Sequence, residues 1–268
     1  MVAIRTDGLT KRFGDVVAVD AIDLTIQEGE VFGFLGPNGA GKSTTINLLL
    51  DFIRPTDGSV EVLGMDAQQN PAAIRRRVGV LPDGYGFDDP LTGREYLAWA
   101  IRNKSADDDP DELLSLVGLT DDASRLAGEY SKGMQQRLAF AIALVGDPDL
   151  LILDEPSTGL DPNGIQQLRS VVRKRAENGT TVFFSSHILS EVEAVCDRVG
   201  VMNAGELVAT DRPRRRIALR RSADDYRRGD VSRRLCQPGR EGRRGHLRRR
   251  ARDCRGHHLR DGVAGGAV

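Results

Sequence analysis

Residues 36–43 have the composition and order of a phosphate-binding loop. The segment reads Gly36-Pro37-Asn38-Gly39-Ala40-Gly41-Lys42-Ser43, and Thr44 follows it. Glycines let successive backbone N–H groups curl around phosphate oxygens, and the N-terminus of a following helix adds a positive dipole. In such loops the lysine reaches the β- and γ-phosphates, and the serine hydroxyl ligates Mg²⁺. A glycine-rich turn without a ligand is the alternative, but the position between an apolar strand and a helix favours a nucleoside triphosphate site.

Two adjacent carboxylates, Asp154 and Glu155, end an apolar strand pattern at residues 150–153. An acid at the end of a strand holds Mg²⁺ in enzymes with a phosphate-binding loop, here through a water molecule. Glu155 then points toward the γ-phosphate and can orient or deprotonate the attacking water. A pair of solvated loop residues is the alternative. The phosphate-binding loop upstream favours the catalytic interpretation.

His187 is the only histidine before residue 213, and it follows a strand pattern at residues 180–186. A lone histidine is commonly a structural surface residue. Ligands of open α/β sheets bind at the carboxyl ends of the strands, so this position favours contact with a phosphate.

The elements that must position these residues alternate along the chain. Apolar alternation or short apolar runs predict strands at residues 2–10, 21–27, 31–36, 59–64, 76–82, 150–156 and 180–186, and a hairpin at 198–209. Helical spacing predicts helices at 43–53 and 164–179, and a helical insert at about 88–146 with helices at 90–104, 109–118 and 132–146. This alternation predicts an α/β fold with a largely parallel sheet.

Composition argues against several protein classes. The 268 residues are only 5% aromatic, and the longest uninterrupted apolar run, residues 139–145, is far shorter than the ~20 residues of a membrane helix. The first residues lack the apolar segment of a secretory signal. The three cysteines have neither paired spacing nor an even number, so we expect neither a disulfide framework nor a zinc site.

Taken in order, residues 1 to about 212 resemble the nucleotide-binding subunit of an ABC transporter. The segment Tyr130–Arg137 is similar to the signature sequence of that family, Ser157–Asp161 resembles its D-loop, and His187 resembles its switch histidine. Phe13 resembles the aromatic residue that stacks on adenine, whereas without the resemblance it is simply a core residue. The resemblance implies a RecA-like P-loop NTPase core with a mostly parallel sheet, antiparallel strands at the N-terminus and an inserted helical subdomain.

The resemblance also implies a mechanism. Two subunits, identical or different, sandwich two ATP molecules with Mg²⁺ in a head-to-tail dimer, and Ser131 and Gly133 of one subunit complete the γ-phosphate shell of the other. Hydrolysis then powers a separate membrane permease, with this subunit in the cytoplasm at the inner face of the membrane.

Three residues depart from the usual family pattern. Lys132 replaces the usual glycine and Met134 the usual glutamine, and the segment Ser-Lys-Gly-Met is similar to a subset of exporter and multidrug-resistance ATPases. Asp83 stands at the Q-loop position, where the family has glutamine. An aspartate there can ligate Mg²⁺, but it adds negative charge near the γ-phosphate.

Residues 213–268 differ from the rest in charge and pattern. They hold 18 arginines, no lysine and six acidic residues, although the whole chain has a net charge of only −1. Their apolar residues follow neither the period of a strand nor that of a helix, which predicts disorder. A frameshift product explains the absence of lysine, and a basic arm for nucleic acid or anionic lipid is the alternative.

That basic arm supports a second possible function, a non-transport ABC ATPase acting on nucleic acid. The known soluble examples fuse two nucleotide-binding domains or insert a long coiled coil, and neither occurs here. A P-loop kinase does not explain the segments that resemble the signature and the D-loop. We therefore expect a permease, and not nucleic acid, as the partner.

Overall fold

The computed structural model describes residues 1–88 and 90–212. Within these residues the strands are β1 (Val2–Phe13), β2 (Val16–Gln27), β3 (Val31–Leu35), β4 (Asp57–Val62), β5 (Met65–Asp66), β6 (Val78–Leu81), β7 (Leu150–Asp154), β8 (Thr181–Ser186), β9 (Arg198–Asn203) and β10 (Glu206–Asp211). The helices are α1 (Lys42–Leu49), α2 (Pro71–Arg77), α3 (Gly93–Lys104), α4 (Pro110–Leu116), α5 (Lys132–Leu144), α6 (Pro162–Glu177) and α7 (Leu189–Val195). Two short 3₁₀ turns are Thr120–Asp122 and Ala127–Glu129.

The strands form two sheets. A six-stranded sheet has the order β10-β9-β3-β8-β7-β6, in which all neighbours are parallel except the antiparallel pair β10 and β9. A four-stranded antiparallel sheet has the order β2-β1-β4-β5. The predicted α/β fold, with a mostly parallel sheet and antiparallel N-terminal strands, is therefore confirmed.

Several predicted element bounds were wrong. The strand predicted at residues 76–82 is only four residues long, because Arg76 and Arg77 end α2. The helix predicted at 43–53 ends at Leu49, and Asp51 already has a φ of +51°, which is incompatible with a continuing right-handed helix.

The central strands are buried on both faces, as their continuous apolar sequences predict. Because side chains alternate between the faces of a strand, Val31 and Leu35 of β3 join one hydrophobic cluster, while Phe32 and Phe34 join the other. The first cluster includes apolar residues of α3 to α7, and the second includes α1 and the antiparallel sheet. The main sheet thus lies between a layer of helices and a layer that combines α1 with the second sheet.

The residues between β6 and β7 contain α3, α4 and α5. Hydrogen bonds from one lysine help to attach these helices to the sheet. Lys104, the last residue of α3, donates hydrogen bonds to the carbonyls of Val78 (3.1 Å) and Val145 (3.0 Å). Burial lowers the pKa of Lys104. The ammonium therefore connects the end of one helix to both β6 and the end of α5.

Three sequence-based expectations concern residues 213–268, which lie outside the described residues: disorder, a frameshift product and a basic arm. Cys236 and Cys254 are also in that part of the chain.

Cys196 is buried, and burial raises the pKa of its thiol. Within residues 1–88 and 90–212, no helix combines the length and the apolar character needed to cross a membrane.

We expect Gly79→Ala to destabilise the fold, because α5 packs directly on β6 at this glycine. A Cβ at Gly79 would lie 1.9 Å from the backbone carbonyl oxygen of Ala143 and 2.8 Å from Leu151. Overpacking of this kind costs about 1–3 kcal/mol, and each kcal/mol lowers the Tm of a chain of this size by about 2–4 °C. Thermal unfolding followed by circular dichroism measures the effect.

The matched control is Gly86→Ala, since a Cβ at Gly86 meets no atom within 4 Å. Its free energy of unfolding should stay within about 0.5 kcal/mol of the parent chain. Equal Tm values for the two variants would contradict the close packing of α5 on β6.

Candidate active site

The strand register brings the predicted site residues to one edge of the main sheet. In the parallel pairs, Leu35 of β3 lies opposite Ser186 of β8, and Ser185 lies opposite Asp154 of β7. The segments that follow these strands begin with Gly36, His187 and Glu155. They therefore leave the sheet side by side, at the edge where ligands of α/β sheets bind.

The loop at residues 36–43 is packed so tightly that two of its positions admit only glycine. A Cβ at Gly36 would lie 2.6 Å from the carbonyl oxygen of Met202, and one at Gly41 would lie 2.3 Å from that of Ala18. Gly41 also has a φ of +103°, which favours glycine. Strands β2 and β9 thus hold the loop backbone in place at the start of α1.

Lys42 carries a buried ammonium group with three oxygen partners. Its Nζ donates hydrogen bonds to the carbonyls of Gly36 (2.8 Å) and Pro37 (3.2 Å) and lies 3.2 Å from Oε1 of Glu155. The residue is only 6% exposed. Because a buried charge is unfavourable unless it is paired and hydrogen-bonded, these partners fix the ammonium beside the loop.

Asp154 is a buried carboxylate whose two oxygens accept hydrogen bonds from different elements. Oδ2 accepts from the hydroxyl of Ser43 at 2.7 Å, and Oδ1 accepts from the hydroxyl of Ser185. Ser185 was not predicted as a site residue, because its contact with Asp154 depends on the pairing of β8 with β7.

The paired oxygens of Ser43 and Asp154 fit Mg²⁺, which prefers oxygen ligands. The described part of the chain holds no group of three His, Cys, Asp or Glu side chains arranged for a metal. A magnesium ion here would therefore take the rest of its shell from phosphate and water, as it usually does at nucleotide sites.

Glu155 lies between Lys42 and His187. Its Oε2 is 2.9 Å from Nδ1 of His187, within hydrogen-bonding distance. Its Oε1 is buried and has no hydrogen bond in the described residues, where its near neighbour is the ammonium of Lys42. Glu155 also has a φ of +48°, a strained conformation for a residue other than glycine. Such strain persists only where the surroundings enforce it, and it concentrates at functional sites.

A cavity of about 450 Å³ opens at this edge of the sheet. The predicted site residues that line it are Pro37, Asn38, Gly39, Gly41, Lys42, Ser43, Thr44, Asp83, Asp154 and Glu155. Asp83 is exposed, so it contributes a solvated carboxylate to the cavity wall. Gly36 and Ala40 are buried, and Ala40 accepts a hydrogen bond from the backbone N–H of Gly205 at 3.0 Å.

Phe13 does not line the cavity but lies next to a residue that does. It ends β1 opposite Val16, which does line the cavity. The ring is 51% exposed, so the alternative interpretation of Phe13 as a core residue is wrong. Nζ of Lys11 lies 5.1 Å from the ring centroid. An exposed ring at this edge is free to stack against a planar ligand.

Ser131 and Gly133 lie at the start of α5 and not among the residues that line the cavity. The hydroxyl of Ser131 accepts from the backbone N–H of Met134 at 3.3 Å and so caps the helix. A Cβ at Gly133 would lie 2.8 Å from the carbonyl oxygen of Gly159. Within one chain, the segment that resembles the signature therefore contacts the segment that resembles the D-loop.

Asp161 ends the segment that resembles the D-loop and caps α6. Its Oδ1 accepts from the backbone N–H of Gly164 at 3.0 Å and from the guanidinium of Arg137 at 2.8 Å. The Gly164 hydrogen bond and, after it, the Arg137 contacts lower the pKa of Asp161. Because Arg137 belongs to α5, this carboxylate connects the two helices.

Comparison with known proteins gives a family match. Residues 19–158 match the family model described as "ABC transporter". The chain is 44% identical over 211 residues to the bacitracin transport ATP-binding protein BcrA of Bacillus licheniformis, with 76% of this chain and 68% of that protein covered. It is 42% identical over 217 residues to the daunorubicin/doxorubicin resistance ATP-binding protein DrrA of Streptomyces peucetius, covering 77% and 64%. It is 41% identical over 216 residues to a fluoroquinolones export ATP-binding protein of Mycobacterium tuberculosis, covering 78% and 71%.

Solved structures share the fold. An ATP-binding subunit of an ABC transporter superposes with a TM-score of 0.73 at 24% identity, over 86% of this chain and 95% of that one. A dimeric ATP-binding cassette bound to ADP and Pi superposes with a TM-score of 0.72 at 24% identity, over 78% and 98%. These similarities establish the P-loop NTPase fold.

We expect Asp161→Asn to lower stability near neutral pH and to have no effect in acid. Asparagine keeps the capping oxygen, so the variant removes mainly the charge. Since the pKa of Asp161 is lowered in the folded state, its contribution is present above the unfolded value of about 3.9 and is lost as the pH falls through the folded value. Thermal unfolding from neutral pH to about pH 3 should show the Tm difference shrinking.

Asp121→Asn is the control, because Asp121 is exposed and lies in the short 3₁₀ turn. Its Tm should follow that of the parent chain at every pH. A Tm difference for Asp161→Asn that is the same at all pH values would show that the charge contributes nothing.

Proposed function

This chain belongs to the ABC transporter family. We propose that it hydrolyses ATP in the cavity beside β3, β7 and β8 and so powers membrane transport. The family match and the relatives identify it as an ATP-binding subunit with ATPase activity, and they do not support the nucleic-acid alternative. One observation carries the proposed mechanism. The carboxylate of Glu155 is buried between Lys42 and His187, and its Oε1 accepts no hydrogen bond from the described residues.

ATP is proposed to bind with its phosphates in the loop at residues 36–44. The backbone N–H groups of the loop and the ammonium of Lys42 contact the β- and γ-phosphates. Ser43 and Asp154 would hold Mg²⁺, with Asp83 nearby on the cavity wall. When bound, Mg²⁺ withdraws negative charge from the phosphate oxygens. The exposed ring of Phe13 stacks on adenine.

Hydrolysis is proposed to use Glu155 as the general base. When phosphate oxygens become partners of Lys42, its ion pair with Oε1 of Glu155 weakens and this oxygen can accept a proton from water. The water oxygen bonds to the γ-phosphorus, the bond to the bridging oxygen of the β-phosphate breaks, and ADP and phosphate result. His187 orients the carboxylate through Oε2 and lies at the strand end where it can contact the γ-phosphate.

The proposed assembly explains why Ser131 and Gly133 lie away from the cavity of their own chain. In a head-to-tail dimer, homomeric or heteromeric, these residues of one subunit complete the γ-phosphate shell of the other. Residues 1–212 form the nucleotide-binding domain, with the helical insert at about 88–146. The dimer drives a separate permease from the inner face of the membrane, and because the named relatives act in drug resistance and export, export is the proposed direction.

We expect Lys42→Ala to lower ATPase turnover by at least about 100-fold, since it removes an ammonium that faces the phosphates. Steady-state release of phosphate by the full-length chain measures this. Lys174→Ala on the exposed side of α6 is the matched control and should keep parental turnover. Full turnover in Lys42→Ala would refute the assignment of the phosphate-binding loop.

We expect Glu155→Gln to lower turnover by about 100- to 10,000-fold, because an amide cannot accept the proton of the attacking water. ATP should still bind, so the variant should accumulate as an ATP-bound dimer, which light scattering detects. Glu177→Gln, at the exposed end of α6, should hydrolyse ATP like the parent and should not accumulate as a dimer. Parental turnover in Glu155→Gln would show that this residue is not the base.

A further inference from the structure

Glu191 is a buried carboxylate for which the proposed mechanism has no use. It lies in α7, one helical turn after His187, and is only 7% exposed. In the described part of the chain its Oε2 accepts hydrogen bonds from two hydroxyls, Ser157 at 2.5 Å and Ser186 at 3.0 Å. Burying a carboxylate has an unfavourable free energy of desolvation, which an apolar side chain of similar size would avoid. Packing alone therefore does not explain a carboxylate at this position.

The two serines belong to the segments that carry the Glu155 and His187 pair. Ser157 lies two residues after Glu155 in the segment that follows β7, and Ser186 is the residue directly before His187. One oxygen of Glu191 thus ties together the two backbone segments whose side chains meet at 2.9 Å. Ser186 also accepts a hydrogen bond from the backbone N–H of Ile188 at 3.0 Å, which fixes the turn into α7.

The helix that carries Glu191 is fixed by the core. Val192 and Val195 are fully buried, and α7 approaches β3 so closely that a Cβ at Gly33 would lie 2.1 Å from Cγ1 of Val192. The packing of α7 on β3 therefore fixes the position of Glu191. The segments that carry Ser157 and Ser186 are hydrogen-bonded to this fixed carboxylate. Glu155 needs such support, because its φ of +48° is strained and persists only where its surroundings enforce it.

We propose that Glu191 is a positioning residue for ATP hydrolysis: through Ser157 and Ser186 it sets the separation of Glu155 and His187 without contacting ATP. The inference rests on the roles proposed for those two residues. Reacting groups must be held to within a fraction of an ångström, and a displacement of about 1 Å can cost about 100-fold in rate. Glu191 therefore acts on the chemical step and not on the binding of the phosphates, which involves a different set of residues.

The test compares kcat and KM for ATP in the full-length chain. Glu191→Ala should lower kcat by about 10- to 100-fold and leave KM within about twofold of the parental value. Glu191→Gln keeps an oxygen that can accept from the serines and should recover part of that loss. Glu193→Gln, on the same helix, is the matched control and should keep parental kcat. A parental kcat in Glu191→Ala, or a rise in KM that accounts for the whole loss, would overturn the proposal.

Two further variants decide the question if Glu191→Ala fails to fold. Ser157→Ala and Ser186→Ala each remove one hydroxyl with little change in volume, and each should lower kcat with KM unchanged. Parental kcat in both would overturn the proposal, since the carboxylate would then act without its hydrogen bonds.

A double-variant cycle separates positioning from general loss of structure. In a His187→Ala background the pair that Glu191 positions no longer exists, so Glu191→Gln should have a much smaller effect on kcat than in the parent chain. The same fold-loss in both backgrounds would overturn the proposal. A parental kcat in His187→Ala alone would instead contradict the proposed role of His187, so the two failures are distinguishable.

Discussion

The ion pair between Lys42 and Glu155 is the interaction on which the site depends. Both side chains are almost completely buried, and neither charge is tolerable there without the other. One partner starts α1 and the other follows β7, so the pair can form only if β3 and β7 are held at a fixed spacing and register. The proposed reaction replaces this internal pair by one between Lys42 and phosphate. In that proposal the binding of ATP prepares Glu155 to act as base, because the carboxylate loses its ammonium partner to the phosphate.

Strand β8 sets the spacing between β3 and β7 and also supplies hydrogen bonds to two carboxylates. It lies between β3 and β7, and its last residues carry hydroxyl groups. Ser185 donates to Asp154 and Ser186 donates to Glu191, so neighbouring positions of one strand stabilise two different carboxylates. Since adjacent side chains of a strand point to opposite faces, the hydroxyl of Ser185 supports the Asp154 side and that of Ser186 supports α7. The site is thus supported from both faces of a single strand.

The sequence permits prediction of the residues whose local pattern carries their chemistry. The loop at 36–43, the pair Asp154 and Glu155, and the position of His187 all follow from strand context and residue type. Ser185 and Glu191 do not, because their contacts depend on β8 lying between β3 and β7, an order that spacing along the chain does not encode. Helices α2 and α7, each seven residues long, were not predicted from the sequence either. In the proposed dimer Ser131 and Gly133 meet a site only in the partner subunit, and resemblance alone predicts them.

The charges of the cavity restrict the form in which ATP can enter. Among residues 1–88 and 90–212, three carboxylates line it, those of Asp83, Asp154 and Glu155, against one ammonium, that of Lys42. Triphosphate oxygens brought next to these groups without a compensating cation would be repelled at short range, where a partly buried site screens charge poorly. Ser43 and Asp154, already paired by a hydrogen bond, would hold a divalent cation there, and its charge would offset that repulsion. Asp83 strengthens this requirement, because an aspartate at the Q-loop position adds a charge that the family's usual glutamine does not have. In the proposed mechanism, the exchange of the Lys42 partner, which frees Glu155 to act as base, would therefore depend on the nucleotide binding together with its metal.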